Sequence, residues 1–523
     1  MLLSELAAVL REDGLLLKEC GEAEITAITF DSRKVVPGTL FTCKGARFKE
    51  EYLTQASESG AVAYLSETEY AAELPCLIVS DIRKAMSLIA LAFYGNPAAA
   101  MDMVGITATK GKTTTTYFLT NIFNEFTRSE NGSIATVEVH TGKGVKKAVL
   151  TTPEAYDLQE TLAEIRGNGV RFCTMEVSSQ GLKVDRVYGM RYNVGICLNI
   201  DDDHISPNEH PDWTDYYMSK LKLFALSDLA VVNGEDPHAK GTGLPGVPGI
   251  IEAARAGAKQ VYTYGRSDEF DYYLTNHRRA DGYQCFDVVG PGLDHETFRI
   301  KMLGSFNCDN ALAAIITAKH FGVDNDSIRR GLEKTHVPGR MDLFYNAERD
   351  VYVLVDFAHN KLSFTNLFKA IREEFPDRRM VVAIGSAGGK GFQRRKAIGE
   401  VLTQYADYAY LTDCDSNWEP TEDICNEILS HVGPDGPECT VILDREEAIA
   451  TALLAARPGD IIPCVARGEE IRHWINGQIL DCIPDTELAR MYAAGEYDKL
   501  EALLEDKKKG NRSYTPKARR AEW

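Results

Sequence analysis

The chain has 523 residues, 44% of them hydrophobic and 26% charged, which is enough for two to four packed domains and too apolar for wholesale disorder. Fifty-eight Lys and Arg stand against 77 Asp and Glu for a formal charge of −19, a field that repels nucleic acid and anionic lipid. Neither is expected as a principal partner.

The opening MLLSELAAVLREDG meets Glu5 and Arg11 before any signal-peptide core could form, and it predicts an amphipathic helix. Residues 1–98 alternate strand-like runs (ITAITF, GTLFTCKG, AVAYLS, PCLIVS) with helical stretches, as a small α/β domain would. The longest uncharged stretch, Ala85 to Met101, is broken by Gly95-Asn96-Pro97 and cannot span a bilayer. From Met103 the pattern restarts with MVGITAT, a glycine turn and the helix TTTTYFLTNIFNEF. Strand and helix then alternate through RFCTMEVSS, NVGICLNI and LAVVNGE, which predicts a parallel sheet over 99–337. After Pro338-Gly339, four strand-plus-loop units (VYVLVDFAHN, RMVVAIGSAGG, YADYAYLTD, DIIPCVARG) make a third domain over 338–490. Residues 491–523 read as a charged tail, with LEALLED a short helix and Lys507, Lys508, Lys509, Arg512, Lys517, Arg519 and Arg520 solvated. The fold class is therefore α/β in three domains: a small N-terminal α/β domain, a central P-loop parallel-sheet ATPase domain and a C-terminal Rossmann-like domain. Twelve cysteines without CxxC spacing read as reduced thiols of a cytoplasmic chain, mostly in cores and strands.

The strongest chemical signal is GITATKGKTTT, Gly105 to Thr115, between a strand and a helix. Such a turn lets backbone N–H groups wrap phosphate oxygens, with Lys112 on the terminal phosphates and the Thr113 hydroxyl offered to Mg²⁺. The spacing departs from GxxxxGK[ST], and Ala108 stands where a glycine would help, so the turn is a variant P-loop for ATP or GTP. Glu176 ends an apolar strand; it either faces a cation or reaches solvent. The segment LNIDDDHISPNEHPDWTDYYMSKLKLF places Asp201, Asp202, Asp203 and His204 ahead of a helix bearing Lys220, a second metal site or a set of solvated charges. His210 and Asp212 read as caps of that helix, and Trp213, Trp418 and Trp474 as packing residues. GSAGGKG lacks GxGxxG and a following acid, which argues against NAD.

Taken together, ATKGKTTT, MEVSSQ, Asp203-His204 followed by Lys220, GSFNCDNALAA, PGRMD and VDFAHN occur in the order of the Mur ligases, ATP-dependent amide-forming enzymes of peptidoglycan precursor synthesis, and the match spans residues 25 to 490. DSRKVVPGTLF, TTPEAYDLQ, EVSSQGLKVDRVYG and DHISPNEHP most resemble the MurE branch, which adds the third amino acid to UDP-N-acetylmuramoyl-L-alanyl-D-glutamate. The resemblance implies that Ala108, Thr109, Lys110, Gly111, Lys112, Thr113 and Thr114 hold ATP phosphates. Thr113 and Glu176 would hold one Mg²⁺, and Glu176, His204 and Lys220 a second, with Lys220 carbamylated by CO₂ into an anionic oxygen ligand. Asn307 and Asn310 would lie near adenine, and Arg340, Asp356 and His359 would bring the third domain onto the nucleotide. Ser32 would meet the uridine end, and Thr151, Thr152, Ser178 and Arg186 the rest of the UDP-sugar dipeptide.

The resemblance also bears on the incoming amino acid. Family members that add meso-diaminopimelate carry Asp-Asn-Pro-Arg in a third-domain loop, and those that add L-lysine often carry Asp-Asp-Pro-Asn. Here Cys414, Asp415, Ser416 and Asn417 align with that motif, and it holds no arginine to fork a distal carboxylate. L-lysine is favoured. Arg395 and Glu470 would bind the amino acid's carboxylate and amine, although the family's Gly-Lys-Gly beside that glutamate is Ala466-Arg467-Gly468. The partners implied are UDP-MurNAc-dipeptide and a free diamino acid, with neither nucleic acid nor membrane insertion, and the expected state is a monomer. The alternatives are a meso-diaminopimelate-adding ligase and a non-catalytic nucleotide- or UDP-sugar-binding paralogue.

Overall fold

The computed structural model describes residues 1–45, 48–201, 205–206, 209–389 and 392–509. They fall into two compact units, the first made of Met1–Asn276, Asp287–Phe298 and Asn310–Glu333, the second of His277–Phe286, Arg299–Asp309 and the chain from Lys334. The N-terminal amphipathic helix is Leu3–Glu12, and Leu3, Leu6, Ala7 and Leu10 are its buried stripe. It packs on a five-stranded sheet in the order Leu16–Cys20, Cys76–Val79, Ala61–Ser66, Thr39–Thr42, Ala27–Thr29. Only the first of these strands runs antiparallel to its neighbour.

A second sheet in the first unit carries the parallel run Gln260–Gly265, Ser227–Asn233, Tyr192–Cys197, Asp102–Thr107, Phe172–Glu176, Gly132–Ile134. Its central strand Asp102–Thr107 is buried from its second residue onward, as a strand covered on both faces must be. Helix Lys112–Thr127 covers one face, and the Phe123 and Phe172 rings stack there at 4.1 Å.

The strict alternation of strand and helix expected over 99–337 does not hold. Glu138–Thr141 and Val145–Lys147 follow Gly132–Ile134 antiparallel, and Tyr272–Ala280, Tyr283–Gly290 and Leu293–Ile300 succeed one another without a helix. The cause is turn chemistry. Asp281 and Gly282, at φ of 51° and 76°, form the two-residue left-handed connection that an Asp-Gly pair favours in a hairpin.

The second unit holds a six-stranded sheet in the order Asp342–Asn346, Val351–Asp356, Asp460–Val465, Arg379–Ile384, Tyr408–Leu411, Glu438–Val441, parallel after its first strand. The hairpin Arg472–Ile475 and Gln478–Asp481 follows. A buried pair ties its ends: Arg445 donates through Nε and Nη2 to Asp485 at 2.9 and 2.6 Å, and also to the Asp413 and Val465 carbonyls. The chain end differs from expectation. Its last helix runs Tyr497–Lys508, and Lys507 is buried rather than solvated, pairing with Asp444 at 2.7 Å and Glu446 at 2.8 Å. The basic residues from 510 onward lie outside the described residues. Trp418 also departs from its expected packing role, being 74% exposed while its ring lies over Gly477.

Helix Asn325–Lys334 meets helix Lys112–Thr127 at Gly331, where an added Cβ would fall 2.5 Å from the Ile122 Cα. That neighbour is backbone and cannot rotate away. Gly331→Ala is expected to cost about 1–3 kcal/mol of stability, read as a lowered denaturant midpoint with an unchanged slope.

Candidate functional site

The strand Asp102–Thr107 passes into helix Lys112–Thr127 through four residues, and Gly111 makes the turn possible at φ 93°. A Cβ there would lie 2.6 Å from the Asn310 Oδ1, so the turn needs glycine both for its backbone and for its space. The loop is fixed from the neighbouring strand end. Thr109 N–H donates to the Asn199 carbonyl at 2.9 Å, Lys110 N–H to the Asn199 Oδ1 at 2.8 Å, and the Asn199 amide returns a bond to the Lys110 carbonyl at 2.9 Å. The Thr109 hydroxyl bonds the Tyr216 hydroxyl at 2.8 Å and accepts from the Asp201 N–H at 2.9 Å. The result is a rigid collar ahead of a helix N-terminus, whose first N–H groups suit anionic oxygens.

Two lysines converge on the collar. Lys112 folds across its own loop, its ammonium donating to the Ala108 and Thr109 carbonyls at 2.7 and 3.2 Å. Lys220, on helix Trp213–Ala225 and 2% exposed, donates to the same Ala108 carbonyl at 2.8 Å, with its Nζ 4.6 Å from the Tyr216 ring centroid. Glu176, at the end of Phe172–Glu176, is fully buried rather than reaching solvent, and it accepts from the Thr136 N–H and hydroxyl at 2.9 Å each. Thr113 and Thr114 open the helix and are nearly buried.

His204 lies outside the described residues, as do Asp202 and Asp203. His210 proves not to be a helix cap; it is fully buried and bridges Asp215 (2.6 Å) and Ser179 (3.0 Å), while Asp212 does cap, accepting from the Asp215 N–H at 2.8 Å.

Around Thr151-Thr152-Pro153-Glu154 the same unit gathers a cationic cluster. Thr152, buried, accepts from the Ser178 N–H at 2.9 Å and donates to the Glu176 carbonyl at 3.0 Å, which joins it to the acid's own strand. Thr151 reaches the Thr136 hydroxyl at 3.0 Å, and the Ser178 hydroxyl caps helix Ser179–Lys183 through the Gly181 N–H at 3.0 Å. Arg186 donates to the Thr152 carbonyl at 2.9 Å and pairs with Glu154 at 2.7 Å. Lys44 and Arg83 reach Glu154 as well, at 2.5 and 3.3 Å. Sequence reasoning missed these two because they come from distant segments. Ser32 sits in the turn Ser32–Lys34, which Asp31 caps through the Arg33 N–H.

In the second unit Asn307 donates to the Leu303 carbonyl at 2.7 Å, and Asp356 accepts from the Met341 and Ala358 N–H groups at 2.8 and 2.7 Å. Arg340 lies 4.6 Å from the Phe357 ring centroid, and the His359 Nδ1 is 2.8 Å from the Phe357 carbonyl. Arg395, expected to meet a carboxylate, is 2% exposed and already forks to Glu419 at 2.8 and 2.6 Å, with Glu427 at 2.5 Å. The segment Cys414–Asn417 is a tight loop. Asp415 and Asn417 take φ of 57° and 59°, Asp413 accepts from the Asp415 and Ser416 N–H groups at 3.2 Å each, and Asn417 N–H donates to the Trp474 carbonyl at 2.8 Å. Burial pushes the Cys414 thiol up to about 12, so it stays protonated and inert. Glu470 lies 2.9 Å from Arg467, which also reaches Asp415, so an arginine from outside the motif meets this loop.

The family profile "Mur ligase middle domain" matches residues 106–318, and "Mur ligase, glutamate ligase domain" matches residues 339–468. A UDP-N-acetylmuramoyl-L-alanyl-D-glutamate--L-lysine ligase of Enterococcus faecalis is 39% identical over 466 residues, 87% of this chain and 89% of that protein. A UDP-N-acetylmuramyl-tripeptide synthetase of Lactobacillus delbrueckii subsp. bulgaricus is 34% identical over 505 residues, 92% of this chain and 96% of that protein. Among solved structures, a UDP-N-acetylmuramoyl-L-alanyl-D-glutamate--2,6-diaminopimelate ligase superposes with a TM-score of 0.63 at 23% identity, covering 90% of this chain and 95% of the other, a likeness of fold. A MurF ligase of Thermotoga maritima in complex with ADP gives 0.59 at 17% identity, covering 91% and 98%.

Burial raises the Glu154 carboxyl, but Lys44 and Arg186 outweigh it and hold the group below its ordinary 4.5. The carboxylate's stabilisation is thus full above that value and lost as pH falls through the lowered one. The melting temperature is expected to drop on acidification from pH about 5 to 3, and Glu154→Gln to flatten that limb in a calorimetric pH series.

Proposed function

The chain belongs to the Mur ligase family, and on that premise we propose that it is an ATP-dependent ligase adding L-lysine to UDP-MurNAc-L-Ala-D-Glu in peptidoglycan precursor synthesis. The observation that carries the reading is the collar at 108–111, with buried Lys220 held on its Ala108 carbonyl and Glu176 at the next strand end but one step away in the sheet. The relatives named for this reaction support the substrate assignment.

ATP phosphates would sit at the loop 108–114, on the N–H groups that open its helix, with Lys112 leaving its own loop carbonyls to meet the γ-phosphate. The D-glutamyl side-chain carboxylate attacks that phosphorus, the bond to the β-phosphate oxygen breaks, and ADP departs, leaving an acyl phosphate. The amine of lysine then attacks the acyl carbon, loses a proton, and phosphate leaves as the amide forms. Thr152, Ser178 and Arg186, bonded to one another's backbone, would orient the dipeptide so that the carboxylate lies in line. Thr151 belongs to the same subsite, and Ser32 to the uridine end. Asn310, beside Gly111, and Asn307 would contact adenine; Arg340, Asp356 and His359 are read as further nucleotide contacts.

For Mg²⁺, the Thr113 hydroxyl and the buried Glu176 carboxylate are the hard oxygen donors the ion takes. Lys220 as an ammonium would repel it; carbamylated, it supplies an anionic oxygen in the same position, and His204 completes the set. Mg²⁺ bound there would offset the negative charge that gathers on the phosphates.

L-lysine follows from charge. Around the selection loop Arg395 faces Glu419 and Glu427, and Arg467 faces Asp415 and Glu470. One guanidinium against two carboxylates leaves each cluster net negative, which favours a distal ammonium over the distal carboxylate of diaminopimelate. Arg395, Asp415, Asn417 and Glu470 are the amino-acid contacts in this reading. It includes a cytoplasmic monomer, in keeping with twelve cysteines that are all free. No helix among the described residues is long and apolar enough to cross a membrane.

The test is phosphate release from ATP with UDP-MurNAc-L-Ala-D-Glu and a panel of amino acids. L-lysine is expected to exceed meso-diaminopimelate by about 100-fold or more in kcat/KM; equal rates, or release independent of the amino acid, overturn the reading. Protein stripped of CO₂ is expected to lose turnover and regain it with bicarbonate, whereas Lys220→Ala should be inactive with or without it. Full activity of Lys220→Ala would refute the carbamate.

A further inference from the structure

The amino-acid site holds an arginine that the reaction scheme above does not use. Arg467 follows the strand Asp460–Val465, after Ala466 has turned the chain at φ 94°, and its side chain is 2% exposed. Its Nη1 lies 2.5 Å from the Asp415 Oδ1 and 2.9 Å from the Glu470 Oε2, and its Nη2 donates to the Arg472 carbonyl. Burial alone would lower its pKa, but Asp415 and Glu470 outweigh burial and keep the guanidinium charged.

The two acids differ from their partner in exposure. The Asp415 side chain is 33% exposed and that of Glu470 43%, so the arginine lies behind and the carboxylates in front. Each acid spends one oxygen on Arg467. Asp415 Oδ1 also accepts from the Trp474 N–H at 2.8 Å, which fixes the carboxylate's plane. Around the same loop several buried polar atoms make no hydrogen bond of good geometry: Ser416 Oγ, Asn417 Oδ1, His473 Nδ1, and the Arg467 Nε and Nη1, the last held to its two acids as an ion pair. Such atoms are satisfied by water or by a polar ligand, and the loop that carries them borders the two acids.

We propose that Arg467 is a specificity-determining residue: from behind, it bridges Asp415 and Glu470 so that their remaining oxygens form one receptor for the distal ammonium of the incoming diamino acid. The inference rests on the ligase reading and assigns within it a residue that neither the selection motif nor the reaction scheme includes. Two carboxylates side by side repel, and without a shared cation they would turn apart or take a proton. A guanidinium buried behind them holds both, and it leaves a net charge of −1 that an ammonium neutralises. Because the Arg467 Nη1 faces two acids and its Nη2 is spent on the Arg472 carbonyl, it has no fork to offer a distal carboxylate, so its presence does not make the site one for diaminopimelate.

The experiment compares L-lysine with L-norleucine, which has the same chain length and no distal ammonium, in wild type, Arg467→Gln and Arg467→Lys. With UDP-MurNAc-L-Ala-D-Glu and ATP saturating, Arg467→Gln is expected to raise the KM for L-lysine about tenfold or more and to shrink the lysine-over-norleucine ratio of kcat/KM by a similar factor. The KM values for ATP and for the UDP-sugar dipeptide should stay within about twofold. Arg467→Lys, which keeps the charge, should recover part of the loss. An unchanged lysine-over-norleucine ratio in Arg467→Gln overturns the proposal, as does a uniform fall in kcat for both amino acids, which marks a merely structural role. Should Arg467→Gln fail to fold, the ratio in Arg467→Lys decides: a ratio identical to wild type overturns the proposal. A wild-type chain that releases no phosphate with any amino acid refutes the ligase reading instead. Calorimetric binding of L-lysine, in the presence of the UDP-sugar dipeptide and a non-hydrolysable ATP analogue, then decides on Arg467 independently: equal affinity in wild type and Arg467→Lys overturns the proposal, and weaker binding by the variant upholds it.

Discussion

A parallel strand ends with carbonyls and following N–H groups that no neighbouring strand can satisfy, and this single constraint decides where the chemistry of the molecule sits. In the first unit the strand ends at Thr107, Glu176 and Cys197 meet that need with each other: the loop at 109–110 is bonded to Asn199, and the Val177 N–H to the Ile106 carbonyl. In the second unit the ends at Asp356, Ile384, Leu411 and Val465 do likewise, the Thr412 N–H bonding Ile384 and the Ala466 N–H bonding Asp356. These bonded loops lie at the carboxyl ends of the parallel strands, where the crevice of an open α/β sheet receives its ligands.

The ionic clusters sort by their stoichiometry. Arg445 and Asp485 are one against one and buried, and with the Asp413 and Val465 carbonyls they tie four segments together. Glu154 is one carboxylate against Lys44, Arg83 and Arg186, an excess of positive charge where an anionic UDP-sugar is to be held. Arg395 and Arg467 each face two acids, an excess of negative charge where a diamino acid is to be held. Removing charges from water is costly, and a protein that leaves such clusters unbalanced reserves part of their compensation for what binds.

Much of this was legible in the sequence because the signals were local. The strand-turn-helix at 102–127 follows from apolar runs broken by Gly111, and the third-domain strands from continuous Val, Ile and Ala. The hairpins at 132–147 and 272–300 were missed, although Asp281-Gly282 was a hairpin signal in plain view; expectation of a regular α/β alternation overrode it. At the site, Lys112, Glu176 and Lys220 could be named from motif order, since each lies at a strand end or in a recognisable helix. Lys44 and Arg83 could not, because what gives them a role is a partner 110 or 71 residues away in sequence; Arg467 was visible beside Glu470, but its pairing with Asp415, 52 residues away, was not. The spacing of Cys414–Asn417 showed that no arginine lay within the selection motif; it could not show that one arrives from the end of Asp460–Val465, two strands away in the sheet.

The closing helix Tyr497–Lys508 carries a consequence for the molecule's life as a polypeptide. Lys507 is the buried counter-charge of Asp444 and Glu446, and Glu446 in turn fixes the Ile483 N–H. Nothing in the helix's composition advertises this, yet a proteolytic cut ahead of Lys507 would take away the cation that Asp444 and Glu446 share at the start of the helix bearing Arg445. The helix is therefore a working part of the second unit's charge balance, and an edit to its sequence would be felt at a helix start some sixty residues upstream.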